Sequence, residues 1–183
     1  MTDKRKLPFV FDAQKMQHEV NNFKADEWIP HFNTGYYTGD WSAIPLRSVN
    51  GEPTRIFPDP SGLGVYADTI HLKKSAYLNE VINTFKCDKI DVRLLSLKAG
   101  SNIKEHRDYG LAIEDGEVRI HVPITTNPEL EFYLNKERVI MQEGECWFLN
   151  FNYYHSVNNK GTTDRIHLVM DCKVNDWLMA FFK

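Results

Sequence analysis

The second half of the chain is a series of short apolar segments separated by turn residues, and this pattern limits the fold more than any other feature. From Ile90 onward the segments are rich in β-branched and aromatic residues, which is typical of strands. Turn pairs such as Asp115-Gly116 and Asn127-Pro128 separate them. The predicted strands are Arg93–Lys98, Glu117–Ile124, Leu130–Leu134, Arg138–Gln142, Cys146–Phe151 and Arg165–Asp171. Because no helical pattern alternates with them, we expect an antiparallel sandwich or barrel and not a parallel α/β sheet.

The first half predicts two amphipathic helices and an irregular region between them. Asp12 and Ser75 are the candidate N-caps. The apolar positions that follow them have helical spacing: Met16, Val20 and Phe23 in the first helix, and Leu78, Val81, Ile82 and Phe85 in the second. The region Trp28–Pro60 is rich in Gly, Pro and aromatic residues and predicts short strands and loops. The helices are expected to buttress the strands.

Length and charge exclude several classes of protein. The chain has 183 residues, which suits one well-buried core, and no linker divides it. Its net charge of -3 provides no basic field for nucleic acid or an anionic membrane. The opening apolar run is too short for a secretory leader, and no segment is long enough to span a membrane. Three widely spaced cysteines argue against a disulfide framework, so we predict a cytoplasmic protein.

Three residues of the strand-rich half are candidate metal ligands. His106 and Asp108 form an H-x-D motif, and two residues that are two positions apart in an extended segment project to the same side. His155 follows after the predicted strand Cys146–Phe151. Two imidazoles and one carboxylate form the facial triad expected for non-haem Fe(II), which leaves coordination positions open for a bidentate oxoacid and O2.

Other polar residues of this half are placed to serve the same site. Arg165 stands at the head of a strand, ten residues after His155, where its planar guanidinium could pair with the far carboxylate of 2-oxoglutarate. Arg119 and His121 share one face of a strand whose other face is apolar, and that polar face could line a pocket.

Each of these features also has an ordinary explanation when it is taken alone. An H-x-D is often a solvated turn, a single histidine such as His155 is often structural, and an arginine at a strand end is often a surface residue. The polar face with Arg119 and His121 would be the solvent side of a half-buried strand. The order of the features along one strand-rich half favours the shared site.

Five segments in this order resemble the aspartyl/asparaginyl β-hydroxylase family, and among its members the bacterial proline cis-4-hydroxylases most closely. The segments are HRDY (His106–Tyr109), VRIHVPI (Val118–Ile124), GECWFLN (Gly144–Asn150), HSVNN (His155–Asn159) and DRIHLVMD (Asp164–Asp171). The resemblance implies a mainly β fold, a double-stranded β-helix (cupin or jelly-roll) barrel buttressed by N-terminal helices. We expect a single domain, 1–183: helices and supporting strands in 1–89, the core with the metal site in 90–172, and a tail in 173–183.

The resemblance implies a 2-oxoglutarate- and Fe(II)-dependent dioxygenase that hydroxylates an amino acid or an amino-acid residue, with release of succinate and CO2. The substrate is then a small amino acid, or an aminoacyl or peptide group, and O2 and ascorbate are the expected oxidant and reductant. Secretory-pathway members of animals lack the carboxylate of the triad, and Asp108 sets this chain apart from them.

The residues implied by the resemblance fall into three groups. Iron is expected at His106, Asp108 and His155, and 2-oxoglutarate at Arg165 with help from His121 and Arg119. The substrate is expected to contact Arg93, Arg119, Tyr109 and Trp147, with Trp41 as a further candidate for the pocket wall. For both tryptophans, packing in the core is the simpler explanation.

Two alternatives remain open from the sequence. One is another cupin metalloenzyme that does not use 2-oxoglutarate, although such sites commonly have more histidines and do not need Arg165. The other is a non-catalytic cupin that binds a small molecule, although such proteins usually lose a metal ligand.

Overall fold

The computed structural model of the chain describes residues 2–182, which form strands and helices in the following order. The strands are β1 (Lys4–Val10), β2 (Ile29–Pro30), β3 (Tyr37–Thr38), β4 (Trp41–Val49), β5 (Tyr66–Asp68), β6 (Lys89–Leu97), β7 (Asn102–His106), β8 (Glu117–Thr125), β9 (Leu130–Leu134), β10 (Glu137–Arg138), β11 (Glu145–Leu149), β12 (His155–Asn159) and β13 (Arg165–Lys173). The helices are α1 (Ala13–Val20), α2 (Ile70–Lys73), α3 (Ala76–Thr84) and α4 (Asp176–Met179).

The strands form two antiparallel sheets that face each other. The major sheet has the order β1-β11-β8-β13-β6-β4-β2, with β5 paired to β4. The minor sheet has the order β10-β9-β12-β7-β3. Side chains from both sheets meet in one apolar cluster, in which Leu97 and Leu149 of the major sheet pack with Ile103 and Phe132 of the minor sheet. The predicted fold class, mainly β with flanking helices, is confirmed.

The major sheet has one apolar face and one polar face, as the alternation in its strands requires. In β8, Val118, Ile120, Val122 and Ile124 are buried in the core that also contains Met16 and Val20 of α1 and the apolar stripe of α3. Arg119 and His121 alternate with them and face the minor sheet, where the candidate site lies. The helices therefore cover one face and leave the other for chemistry.

Helix α1 begins as the sequence predicts. Asp12 is its N-cap, and the side chain of Asp12 accepts a hydrogen bond from Lys15 N at 3.1 Å. Met16, Val20 and Phe23 are buried at the predicted spacing.

Helix α3 begins at the predicted position but is capped by a different residue. Ser75 is the N-cap by position, yet its hydroxyl donates to His71 O at 2.9 Å and does not cap the helix. Glu19 of α1 takes that role, since its two carboxylate oxygens accept from Tyr77 N at 2.7 Å and Leu78 N at 2.9 Å. The cap therefore joins the two helices, and a pattern within one helix could not reveal it.

Most of the predicted strands are present, with ends that differ by at most four residues, but part of one prediction is wrong and some observed strands were not predicted. The predicted strand Arg138–Gln142 is wrong beyond Arg138, because the chain leaves the sheet and the Glu145 carboxylate accepts from Gln142 N at 2.9 Å. The region Trp28–Pro60 contains β4, which is nine residues long and central to the packing. Strand β1 was not predicted and pairs with β11 at the edge of the major sheet.

The tail packs against the core. Trp177 and Phe181 pack against Phe9 of β1, with ring centroids 6.0 and 5.2 Å from that of Phe9. Lys183, the last residue of the predicted tail, lies outside the described residues. Between residues 2 and 182, no helix is long and apolar enough to cross a membrane.

The capping role of Glu19 predicts a measurable loss of stability. Glu19→Ala removes the acceptor for two N–H groups at the start of α3, so we expect a loss of about 1–2 kcal/mol in the free energy of unfolding, measured with urea. Glu80→Ala, at an exposed position of the same helix, is the control and should change stability by less than about 0.5 kcal/mol. If Glu19→Ala and Glu80→Ala changed the free energy of unfolding equally, the capping role of Glu19 would be contradicted.

Candidate metal centre

The three predicted metal ligands lie together between the two sheets. His106 ends β7 and His155 begins β12, and the two residues are opposite each other in the antiparallel pair. Asp108 follows β7, and its backbone N–H donates to Phe151 O at 3.0 Å. One ligand atom from each of the three side chains lies within 4.8 Å of the other two. This spacing suits one metal ion.

Hydrogen bonds to backbone carbonyls fix the orientation of both imidazoles. Nδ1 of His106 is 2.7 Å from Lys104 O, and Nδ1 of His155 is 3.2 Å from Tyr153 O. Because a carbonyl oxygen only accepts, Nδ1 carries the proton in each ring and Nε2 presents its lone pair. Burial, and then the neighbouring His106, lower the pKa of His155 to about 4, so its imidazole is neutral at physiological pH. Both rings are therefore prepared to bind a metal.

An inner cavity extends from the triad into the barrel and ends at a buried arginine. Trp41, Leu95, Ile103, Phe132, Phe151 and Val157 form most of its wall, with His121 and Arg165 among the polar residues. Arg165 is only 2% exposed, and its Nη2 lies 2.9 Å from Nδ1 of His167. Within residues 2–182 its Nε has no hydrogen-bond partner. The site thus contains a buried cation with no anion beside it.

His121 and His167 extend the polar end of the inner cavity. A guanidinium only donates, so Nδ1 of His167 accepts from Arg165, and Nδ1 of His121, 3.2 Å away, must donate to it. This leaves Nε2 of His121 as a buried acceptor without a partner in the described part of the chain. Burial, and then the charge of Arg165, hold the pKa of both histidines well below the usual range, so both are neutral.

The electrostatics of Arg165 make this end of the cavity suitable for an anion. Burial lowers the pKa of its guanidinium to about 9, which reports that the charged form is disfavoured by its surroundings. A buried charge without a partner is costly, and a carboxylate in the cavity would offset that cost. A ligand with a carboxylate at one end and metal-binding oxygens at the other would satisfy both ends of the cavity.

An outer cavity opens to solvent on the other side of the triad. Five residues line both cavities: His106, Asp108, Arg119, Trp41 and Leu95. Two of the three candidate metal ligands therefore lie at the junction, and His155 lines only the inner cavity. The remaining wall of the outer cavity includes His31, Phe32, Tyr36, Arg93, Tyr109, Glu117 and Asp171. Tyr109 is 74% exposed at the mouth, and its hydroxyl accepts from Nε of Arg107 at 2.9 Å.

The two arginines predicted to contact small molecules are already paired with carboxylates. Arg93 Nη2 is 2.9 Å from Asp171 Oδ2, and Arg93 Nη1 donates to Ile56 O at 2.9 Å. Arg119 binds both oxygens of Asp171, at 2.6 and 2.8 Å, and reaches Asp108 Oδ2 at 2.7 Å. Each of the three guanidinium nitrogens of Arg119 therefore already donates to a carboxylate, and only the second N–H of Nη1 and of Nη2 remains for a further acceptor.

The two tryptophans predicted as pocket walls differ in position. Trp41 lines both cavities and stacks on His31, with centroids 3.5 Å apart. Trp147 lines neither cavity and packs in the apolar cluster between the sheets, and its indole N–H donates to Glu145 at 2.9 Å. The substrate contact of Trp147 therefore stays a prediction.

Sequence reasoning missed four residues that shape the site: His31, Phe151, His167 and Asp171. The alternation in β13 could have revealed two of them, since Arg165, His167 and Asp171 have the same parity and must share a face. His31 and Phe151 lie in loops, for which periodicity gives no orientation.

The buried, uncompensated charge of Arg165 should destabilise the ligand-free protein. Arg165→Met removes the uncompensated charge and keeps most of the side-chain volume, so the free energy of unfolding should rise by at least about 1 kcal/mol in urea denaturation. Lys73→Met, at an exposed lysine of α2, is the control and should have little effect. A lower stability of Arg165→Met would show that the guanidinium is well compensated.

The amino-acid sequence of the chain is similar to that of a known hydroxylase. The chain is 24% identical over 175 residues to L-proline cis-4-hydroxylase of Rhizobium meliloti (strain 1021), across 94% of this chain. It spans 61% of the length of that relative.

Solved structures share the fold. An oxidoreductase of the 2OG-Fe(II) oxygenase family from Burkholderia pseudomallei superposes with a TM-score of 0.60 at 12% identity, over 93% of this chain and 85% of that one. A prolyl-4-hydroxylase from Pseudomonas putida gives a TM-score of 0.55 at 12% identity, over 94% of each chain. The sequence also matches the Aspartyl/Asparaginyl beta-hydroxylase family over residues 10–174, so the chain belongs to that family.

Proposed function

We propose that the protein is a 2-oxoglutarate- and Fe(II)-dependent hydroxylase of an amino acid or an amino-acid residue. One observation carries the proposal: the inner cavity has a His-Asp-His triad at one end and a buried, uncompensated guanidinium at the other. A dicarboxylate with a keto group beside one carboxylate complements both ends. Family membership and the proline hydroxylase relative support the same reading.

His106, Asp108 and His155 would hold the iron. Nitrogen and carboxylate ligands in a facial set suit non-haem Fe(II) and leave adjacent positions for a co-substrate and O2. Bound there, iron and 2-oxoglutarate supply the oxidising chemistry that places one oxygen atom of O2 in a substrate C–H bond, with release of succinate and CO2. Ascorbate would serve as a reductant that keeps the iron ferrous.

Arg165 and the apolar wall would orient the co-substrate and exclude water. The Arg165 guanidinium would bind the distal carboxylate, and the neutral His121 stands beside it in the same wall. Leu95, Phe132 and Phe151 surround the path between this end and the triad. Fixed orientation in a dry cavity is the main contribution that a protein makes to this kind of reaction.

The substrate would enter through the outer cavity. Arg93 and Arg119 line it, and an amino-acid carboxylate could bind them by sharing their N–H groups with Asp171. The relative's name specifies proline, and proline is therefore the first substrate to test. The aromatic mouth with Phe32, Tyr36 and Tyr109 would also accommodate an aminoacyl or peptide group.

The two alternatives predict different behaviour of the site. A cupin metalloenzyme that does not use an oxoacid would need no anion at Arg165, whose buried charge would then be a cost without a purpose. A non-catalytic binding protein would bind amino acids without forming succinate.

The proposal is tested by succinate release from anaerobically prepared Fe(II) protein after O2 is admitted, with 2-oxoglutarate and a panel of amino acids that begins with proline. We expect at least one member of the panel to stimulate succinate formation well above the uncoupled rate. Asp108→Ala should lose iron and reduce turnover at least about 100-fold, because the carboxylate is one of only three ligands. Asp88→Ala, at an exposed aspartate, is the control.

Full turnover by folded Asp108→Ala would contradict the proposed role of Asp108 as a metal ligand. Metal binding without any succinate formation, in the presence of 2-oxoglutarate, would favour the alternatives.

A further inference from the structure

A line of alternating charges runs across the polar face of the major sheet and ends at a metal ligand. It passes from Arg93 to Asp171 (2.9 Å), from Asp171 to Arg119 (2.6 and 2.8 Å) and from Arg119 to Asp108 (2.7 Å). The strand order explains why these side chains are neighbours. Strand β13 lies between β6 and β8, and Asp171 of β13 is directly opposite Arg119 of β8. Nothing in the proposed reaction requires Asp171, which lies beyond the ligands.

Asp171 determines which way the Arg119 guanidinium points. Its two oxygens take Nε and Nη2 of Arg119, so the side-on edge of the guanidinium is fixed and Nη1 is directed at Asp108. Because the guanidinium is planar, binding of Nε and Nη2 leaves Nη1 little freedom to change its direction.

The direction of Arg119 in turn determines which oxygen of Asp108 is free. Nη1 of Arg119 takes Oδ2, and the other oxygen, Oδ1, is the one that lies 3.9 Å from Nε2 of His106. Asp108 side-chain atoms are about one third exposed, at 32%, and would otherwise have several orientations available. The pairing therefore leaves Oδ1 as the oxygen that faces the His106 imidazole.

Asp171 is well suited to a permanent role of this kind. It is 4% exposed and contacts two guanidiniums. Burial alone would raise its pKa, but Arg119 and then Arg93 outweigh that effect and hold the pKa below the usual range, so the carboxylate stays charged.

We propose that Asp171 is a positioning residue for the metal centre: it orients Arg119, which in turn holds Asp108 with one oxygen toward the metal. The inference rests on the metal-binding role of the triad in the proposed function. It does not depend on the co-substrate or on the identity of the substrate.

The test is the affinity of the metal-free protein for Co(II), measured by calorimetric titration, together with the visible spectrum of the Co(II) protein. We expect Asp171→Asn to weaken Co(II) binding by about 10-fold, because loss of outer partners of metal ligands costs roughly 10–100-fold, and to change the spectrum. Asp68→Asn is the control: Asp68 pairs with Arg47 at 2.6 Å, so this substitution also removes an Asp–Arg ion pair, but neither residue belongs to the line or to the wall of either cavity. It should retain the wild-type affinity within about 2-fold.

A second variant keeps the proposal testable if Asp171→Asn does not fold. Arg119→Lys retains the charge but loses the planar fork, and it should weaken Co(II) binding by a similar factor. In the double variant the two losses should not add, because both substitutions interrupt one line of contacts. Additive losses would overturn the proposal.

Wild-type Co(II) affinity and spectrum in folded Asp171→Asn would also overturn it and would leave the proposed function intact. Failure of the wild-type protein to bind Co(II) would instead refute the metal site itself.

Discussion

The separation of apolar and polar side chains onto the two faces of the major sheet is the constraint on which the rest of the structure depends. The apolar face must be covered, and α1 and α3 cover it with Met16, Val20 and the stripe from Leu78 to Phe85. The polar face turns toward the minor sheet, and there Arg119, His121, Arg165 and Asp171 meet the three candidate metal ligands, which lie at the end of β7, just after it and at the start of β12. A slip of one residue in β8 or β13 would exchange these faces and destroy both the core and the site.

The buried arginines of the outer cavity are paired with carboxylates, whereas the buried arginine of the inner cavity is not. Around the outer cavity, Arg93 and Arg119 are neutralised by Asp171 and Asp108, so this half is complete within the protein. At the end of the inner cavity, Arg165 lies beside the neutral His167. Within residues 2–182, no carboxylate forms an ion pair with Arg165. The protein thus retains an unfavourable charge where a ligand can compensate it, which is expected of a binding site and not of a structural core.

Much of this arrangement is predictable from the sequence, and the failures have physical causes. Period-two alternation predicted many strands of the second half and the shared face of Arg119 and His121, and the H-x-D motif with the distant His155 predicted three side chains that lie close together. Contacts between distant segments were not predictable: Glu19 caps a helix 58 residues away, and Asp171 pairs with Arg119 of the neighbouring strand. For Trp147, the sequence gave its place in a strand but not the hydrogen bond from its indole to Glu145.

In the proposed function, one cavity binds a metal and an oxoacid together. The direct measurement is the visible absorption of the anaerobic Fe(II) protein when 2-oxoglutarate is added, for the wild type and for Arg165→Met. We predict a weak charge-transfer band in the wild type that saturates with 2-oxoglutarate, and a much weaker affinity for 2-oxoglutarate in Arg165→Met while iron remains bound. An iron-loaded wild-type protein that shows no band, or a variant with unchanged affinity, would contradict it.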